Sequence, residues 1–195
     1  HRNTLQQFMV SAWAPVVPRA LHRLDANTTG VVAFATTRHF AKLMQRQFLE
    51  GTVEKCYLAR IKGHPKEDQF SCDAAISAAP GAHGRREIAG DDSLAAHTRF
   101  RVIQRRDDGS SLLEVTPITG RTNQIRLHLE YLGHPIIGDP VYSGHLVAAH
   151  TLDTESPPLC LHAWKLAIHH PLSGARMEFV STPPDWAAGG LSGAD

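Results

Sequence analysis

The chain is expected to adopt an α+β fold, and three observations predict it. About eight stretches alternate or run apolar at strand length. Only three segments carry a helical apolar stripe. Asp108-Gly109 and Leu172-Ser173-Gly174 join strands directly, as hairpins rather than through helical crossovers. At 195 residues, one domain with a substantial core accommodates all of these elements.

Residues 3–13 predict a short helix, with Asn3 as N-cap and Leu5, Phe8, Met9 and Ala12 on one face. Pro15 and Pro18 end it and force an extended approach to His22. Residues 31–36 then predict a buried strand. Thr37 begins a second helix with Phe40, Leu43, Met44 and Phe48 at 3–4 spacing, and Gly51 stops it. Residues 54–63 alternate: Tyr57, Ala59 and Ile61 face one way, Cys56, Leu58 and Arg60 the other. Another strand is expected over 69–77, and a long loop over 78–94 with Arg85 and Arg86 at its tip.

Residues 95–105 and 110–118 predict a hairpin whose turn, Asp108-Gly109, supplies positive φ angles. A third helix starts near Arg121, capped by Thr122, with Ile125, Leu129 and Leu132 as its buried stripe and Gly133 closing it. Arg126 leaves this helix at the edge of the buried face, so it needs a partner acid or a route to water. Residues 138–144 form a turn-rich connection, and 145–158 are weakly patterned. Strands over 159–169 and 176–181 complete the fold, which Pro183-Pro184 ends.

Composition narrows the function classes. The net charge is +1, with 42% hydrophobic and 20% charged residues, the profile of an ordinary soluble globule. No apolar run reaches membrane-spanning length, and no secretory signal pattern is present. The three cysteines form no CxxC pair, which suits a reducing cytosol. Thirteen histidines lie in no HExxH or paired Cys/His spacing, so no metal is expected. The absence of GxGxxG and P-loop motifs points to no nucleotide cofactor. No exposed heptad or apolar edge suggests assembly, so a monomer is expected. Basic residues cluster on the strand carrying Arg99, Arg101, Arg105 and Arg106, in the Arg85-Arg86 loop, and at Arg121 and Arg126, where a polyanion could be held.

The sharpest block is His22-Arg23-Leu24-Asp25-Ala26-Asn27-Thr28-Thr29-Gly30. An Asp in such a place ordinarily turns the chain or caps an element. Four segments in order nevertheless form a specific combination: HRLDANTTG (22–30), EKCYLARIKG (54–63), ITGRTNQIRLHLEYLGHPIIGDPVYSG (118–144) and LCLHAWKLAIHHPLSG (159–174). Together they resemble the RluA-type family of pseudouridine synthases, over nearly the whole chain. The resemblance implies a pseudouridine synthase fold: a mixed, mostly antiparallel bent sheet with flanking helices and a central cleft. It implies one catalytic domain over 1–195, lacking the family's N-terminal strand with its N-K-P-x-G turn and carrying no S4-type domain in these residues. Two further departures are Asn123, where the family has His in GRTHQIR, and Leu94, where it has Lys.

By position, the resemblance makes Asp25 the catalytic aspartate, Tyr57 the active-site tyrosine and Arg126 the arginine that ion-pairs with the aspartate. Arg23 resembles the residue that displaces the target base. His22, Thr29, Arg121 and Gln124 match motif positions that shape the cleft or hold RNA, and Arg85 and Arg86 are candidates for phosphate contacts. The implied reaction detaches uracil from C1′, turns it and rejoins it through C5, without cofactor or metal, on ribosomal or transfer RNA in the cytoplasm. Asp25 could attack C1′, attack C6 or remove the C2′ proton. Arg126 is expected to hold it anionic, and Tyr57 to stack on the uracil or take the C5 proton. The rival readings are a non-catalytic RNA-binding module on the same fold and a hydrolase using Asp25 with a histidine; the latter lacks a nucleophile elbow or second acid.

Overall fold

The computed structural model describes residues 4–81, 85–89, 92–143 and 158–190. Its framework is a seven-stranded sheet. Strands β4 (Glu54–Lys62), β8 (Thr98–Arg105), β9 (Ser110–Pro117) and β10 (Leu161–His169) form its centre, with β5 (Gln69–Cys72) and β11 (Arg176–Val180) at the edges. The order is β11-β10-β4-β9-β8-β5, and every neighbour is antiparallel. A short strand, β2 (Thr29–Gly30), joins β10 in parallel. Two small ribbons stand apart: β1 (Arg19–Ala20) with β3 (Phe34–Ala35), and β6 (Ile76–Ser77) with β7 (Ser93–Leu94).

The alternation expected in β4 holds and sorts the core. Ala59 and Ile61 are buried on one face with Leu113, Val115, Ile125 and Leu129, and Tyr57 packs against this cluster. Leu58 is buried on the opposite face with Leu112, Trp164 and Ala187. On the first face two helices cover different ends of the sheet. Helix α3 (Gln124–Tyr131) sits over the β4–β9 end through Ile125 and Leu129. Helix α2 (Arg38–Glu50) sits over the β10 end, where Ala41 and Met44 meet Leu166 and Ile168. A β-bulge between Ala163 and Lys165 re-phases β10 so that its inward residues can serve both clusters. The sheet face between the two helices carries Tyr57, Lys55 and Ala163.

Several boundaries differ from expectation for identifiable reasons. Helix α1 (Leu5–Ala12) is capped by Thr4 and has no buried residue; Leu5 and Phe8 lie in solvent, and Gln6 ties the helix through Pro18 O and Ala20 N. Asn3 lies outside the described residues. The strand expected over 31–36 shrinks to Phe34–Ala35, because residues 21–33 are occupied in holding a loop. The strand expected over 69–77 divides into β5 and β6. In the β8–β9 turn only Gly109 has positive φ (78°); Asp108 instead accepts hydrogen bonds from the Ser110 N–H and hydroxyl. The chain also remains folded beyond Pro183-Pro184. A 3-10 turn, Asp185–Ala187, seals the second core, with Ala187 fully buried.

Helix α3 is more than a stripe. Its residues Gln124 through Leu129 are all buried, because a further apolar cluster of Ile76, Ala96, Leu127 and Tyr142 covers its outer side. Buried polar groups on such a helix need partners. His128 contacts Thr98 Oγ1 and Ala74 O, each at 2.9 Å.

Candidate active site

The loop bearing Asp25 is clamped at three points. The β1–β3 ribbon closes its base, and Leu21 N–H donates to Ala33 O (2.9 Å). His22 stacks on Phe48 of α2 at 5.0 Å, and its Nε2 accepts from Ala33 N–H at 3.1 Å. Burial lowers the His22 pKa, and the Lys55 charge adds to this, so His22 acts as a neutral brace. The far arm docks on β10: Val31 N–H donates to Ala163 O at 2.9 Å, and Thr29 Oγ1 meets His162 Nδ1 at 2.8 Å. Gly30 makes that approach possible. It has φ +111°, and a Cβ there would lie 2.2 Å from Ala163 O. At the tip, Thr28 N–H donates to Asp25 O (3.1 Å) and Asn27 takes the left-handed conformation, φ 66°. Asp25 therefore does turn the chain with its carbonyl while presenting its carboxylate to the sheet face.

Helix α3 brings Arg126 to the same place. The expectation that Arg126 ion-pairs with Asp25 is corrected here. Its carboxylate partner is Asp139: Nε–Oδ2 and Nη2–Oδ1 are each 2.7 Å, with the two side chains only 6% and 0% exposed. Asp139 also accepts from the Val141 and Tyr142 N–H groups. Arg126 Nη1 donates to Asn123 Oδ1 (3.1 Å), and the guanidinium lies 5.1 Å from the centre of the Tyr142 ring. Arg126 thus acts on Asp25 through space, with part of its five-donor fork already committed.

The electrostatic consequence reverses another expectation. The Asp25 carboxyl is held above its ordinary pKa, not below it. Burial is the largest cause. Arg126, the Asn123 backbone N–H and Arg23 oppose it, while the Asp139 charge adds to it. Tyr57 sits beside Asp25, and burial together with that carboxylate pushes its phenol up to about 12.

Asn123, at the position where the resembled family has His, is suited to its backbone: it adopts φ 58° as the α3 N-cap, a conformation Asn tolerates. Its side chain links Arg126 to the Tyr142 hydroxyl. Thr122 does not cap α3. Gln124 instead reaches back, its Oε1 accepting from Arg121 N–H (2.9 Å) and Thr119 Oγ1 (2.7 Å) while its Nε2 donates to His97 O and Thr98 Oγ1. With these four bonds Gln124 holds the 119–124 turn rather than facing the cleft. Arg121 is exposed, with Nε donating to Ala95 O, and Arg23 is exposed beside Asp25.

Arg85 and Arg86 do not extend outward. Arg85 pairs with Glu130 (2.6 Å) and stacks on Tyr142, while Arg86 binds the Tyr142 hydroxyl through its backbone and Ser77 O through its guanidinium. The basic strand is likewise largely neutralised: Arg101 pairs with Glu114 and Arg105 with Asp68. The tip of the 78–94 loop (82–84, with 90–91) and nearly all of 145–158 lie outside the described residues. Among the described residues no group of three or more His, Cys, Asp or Glu is placed to hold a metal ion, and no helix is long and apolar enough to cross a membrane.

In the sequence Asp139 and Tyr142 stand only as part of a turn-rich connection. The signal available was the buried arginine itself, which required an acid, and Asp139 is the acid of the turn that follows its helix.

Comparisons with known proteins place the chain in a family. The sequence profile of the RNA pseudouridylate synthase family matches residues 12–131. The chain is 36% identical over 160 residues to the dual-specificity RNA pseudouridine synthase RluA of Yersinia pestis, covering 82% of this chain and 75% of that protein. It is 34% identical over 167 residues to the RluA protein of Escherichia coli K12, covering 86% and 74%. It is 39% identical over 173 residues to the ribosomal large subunit pseudouridine synthase D of Nitrosomonas europaea, covering 87% and 49%. Among solved structures, human RNA pseudouridylate synthase domain containing 1 superposes with a TM-score of 0.75 at 28% identity, covering 93% of this chain and 74% of that one. A cleft floored by a strand tyrosine, flanked by an aspartate loop and backed by a buried arginine thus lies in a chain that belongs to the RluA-type RNA pseudouridine synthases.

Proposed function

We propose that this chain isomerises a uridine in structured RNA, ribosomal RNA first and transfer RNA next, with Asp25 as its catalytic carboxylate. The observation that carries this reading is the convergence of Asp25 and Tyr57 on the sheet face left open between α2 and α3, with Arg126 behind them. The dual-specificity and large-subunit names of the relatives support the choice of RNA. We further infer that it acts as a single catalytic domain and a monomer in the cytoplasm; three free cysteines suit that compartment.

The chemistry breaks the C1′–N1 bond, forms C1′–C5 and moves the C5 proton. Asp25, as an anion, supplies the nucleophile or base that starts it. Arg126 stabilises that anion without neutralising it, because Asp139 already engages the guanidinium. Tyr57 offers its ring as a stacking surface for the uracil. Its phenol, at about 12, is ionised in only about 1 molecule in 10⁵ at pH 7. A role as base therefore requires the phenol to pass its own proton to the neighbouring Asp25 carboxylate as it takes the proton from C5. The target base must leave its stack, which costs a few kcal/mol, and exposed Arg23 stands where it can fill the space.

Tritium release from RNA labelled at uridine C5 tests the reading, with ribosomal and transfer RNA pools assayed separately and Asp25→Asn as control. Release that Asp25→Asn abolishes is expected. No release from either pool would leave a binding module as the better description, and release unaffected by Asp25→Asn would remove Asp25 from its role.

A further inference from the structure

Lys55 lies on β4, two residues before Tyr57 and on the same face, so it shares the floor of the cleft. Four arginines on the sheet around it are matched to acids: Arg60 to Asp108, Arg101 to Glu114, Arg105 to Asp68, and Arg176 to both Glu54 and Glu178, while the ammonium of Lys165 on β10 lies over the Trp164 ring at 3.8 Å. Even Glu54, the residue beside Lys55, is taken by Arg176. Lys55 is different. Among the described residues its polar partner is a neutral carbonyl, Thr119 O at 3.4 Å. It is half-buried, burial alone pulls its pKa below the ordinary lysine value, and no carboxylate offsets this. The neighbouring His22, itself neutral, contributes no negative charge either.

The ammonium lies against the backbone of residues 119–120. Gly120 faces it, and a Cβ at that glycine would already stand 3.6 Å from Nζ. A desolvated ammonium without a counter-ion is unfavourable in the free protein, and the only anions an RNA carries are its phosphates. The spacing from Lys55 to Tyr57 along the strand is about 6.6 Å, comparable to the reach from a stacked base to its own phosphodiester.

We propose that Lys55 binds the phosphodiester adjoining the target uridine, its ammonium donating to a non-bridging oxygen while the base rests on Tyr57. This rests on the isomerase reading above. Lys55 would fix the register of the flipped nucleotide from the floor of the cleft, a task the paired surface arginines cannot perform.

Lys55→Met, which keeps the stem and removes the charge, tests this beside Lys55→Arg. The probes are in vitro transcripts of transfer RNA and large-subunit ribosomal RNA, with Kd measured from 50 to 200 mM KCl and thermal melting in parallel. Lys55→Met is expected to weaken binding roughly 10- to 100-fold. It should flatten the slope of log Kd against log salt by about 0.7–0.9, one phosphate contact, with a melting temperature equal to or above that of the natural protein. Lys55→Arg should restore the slope. An unchanged slope in Lys55→Met overturns the proposal even if affinity falls, since the contact would then be to a neutral atom. A lowered melting temperature overturns it as well, by making Lys55 a structural residue. Tritium release by the natural protein reports on the isomerase reading independently, and the salt slope reports on the phosphate contact whether or not release is seen.

Discussion

Replacing Asp139 with asparagine separates two things that this residue does. It anchors Arg126, and its charge opposes the ionisation of Asp25. Removing one partner of a buried ion pair costs about 3–5 kcal/mol. Asparagine keeps one acceptor for the Val141 and Tyr142 N–H groups but turns an NH₂ toward a guanidinium, so the lower part of that range applies. For a domain of this size each kcal/mol moves the melting temperature by about 2–4 °C, so a cost of about 3–4 kcal/mol gives a fall of roughly 6–16 °C. The effect on Asp25 runs the other way. Without the Asp139 charge, one cause raising the Asp25 pKa disappears, and Arg126 is left with Asp25 as its nearest acid. Asp25 then ionises at lower pH. The acid limb of kcat/KM for tritium release, measured below the variant's melting range, should move to lower pH while overall stability falls. An acid limb that stays in place or moves upward would refute the idea that Asp139 shares control of Arg126 with Asp25.

Gly30→Ala should undock the aspartate loop: backbone strain alone costs about 1–3 kcal/mol and the Cβ meets Ala163 O, so urea unfolding and tritium release should both register the loss. Because the folded Asp25 pKa is raised, protonation of Asp25 favours folding, a contribution fully present below about pH 3.9 and lost as pH rises through the folded value. Asp25→Asn should therefore melt higher than the natural protein at pH 7, with the gain gone at low pH, while releasing no tritium. Tyr57→Leu should weaken RNA binding by about 1–3 kcal/mol through lost stacking, whereas Tyr57→Phe keeps that affinity and stalls before loss of the C5 proton; full turnover by Tyr57→Phe would sink the proton-relay role. Gln124→Ala strands buried donors and acceptors at about 1–3 kcal/mol each and should appear as a stability loss in thermal melting, without the change in salt slope expected of a phosphate ligand.

Local pattern carried much of the fold. The alternation of β4, the Thr37 cap and the Gly51 stop of α2 each rest on chemistry within a few residues, and each appears in the structure. Failures came where distant chain decided the outcome. Residues 31–36 have the composition of a buried strand but became the arm of a clamped loop, because β10 offers Thr29 and Gly30 a parallel edge at His162 and Ala163. The stripe in α3 showed one buried face; that the other face is buried too depends on Tyr142, in the turn beyond the helix, and on Ile76, about 50 residues before it. Arg85 and Arg86 looked free because Glu130 and Tyr142, their partners, lie about 45 and 56 residues on.

The site was legible as a set of residues but not as a set of charges. Motif positions pointed to Asp25, Tyr57 and Arg126, and all three converge. A motif does not specify which acid an arginine holds, and that choice decides the chemistry. Had Arg126 closed a bidentate pair on Asp25, the carboxylate would be neutralised and locked, a poor nucleophile and a poor base. With Asp139 as the partner, Arg126 is pre-oriented by a second acid, and Asp25 keeps a cation nearby while its own oxygens remain available. Asn123 belongs to the same arrangement. Its left-handed backbone turns one N–H toward Asp25 while its side chain holds Arg126, so the residue at the departing motif position supports both charged groups. The buried pair costs desolvation that a hydrophobic pair would avoid, and what it supplies is an Asp25 carboxylate poised between burial, which favours its proton, and a fixed guanidinium, which favours its charge.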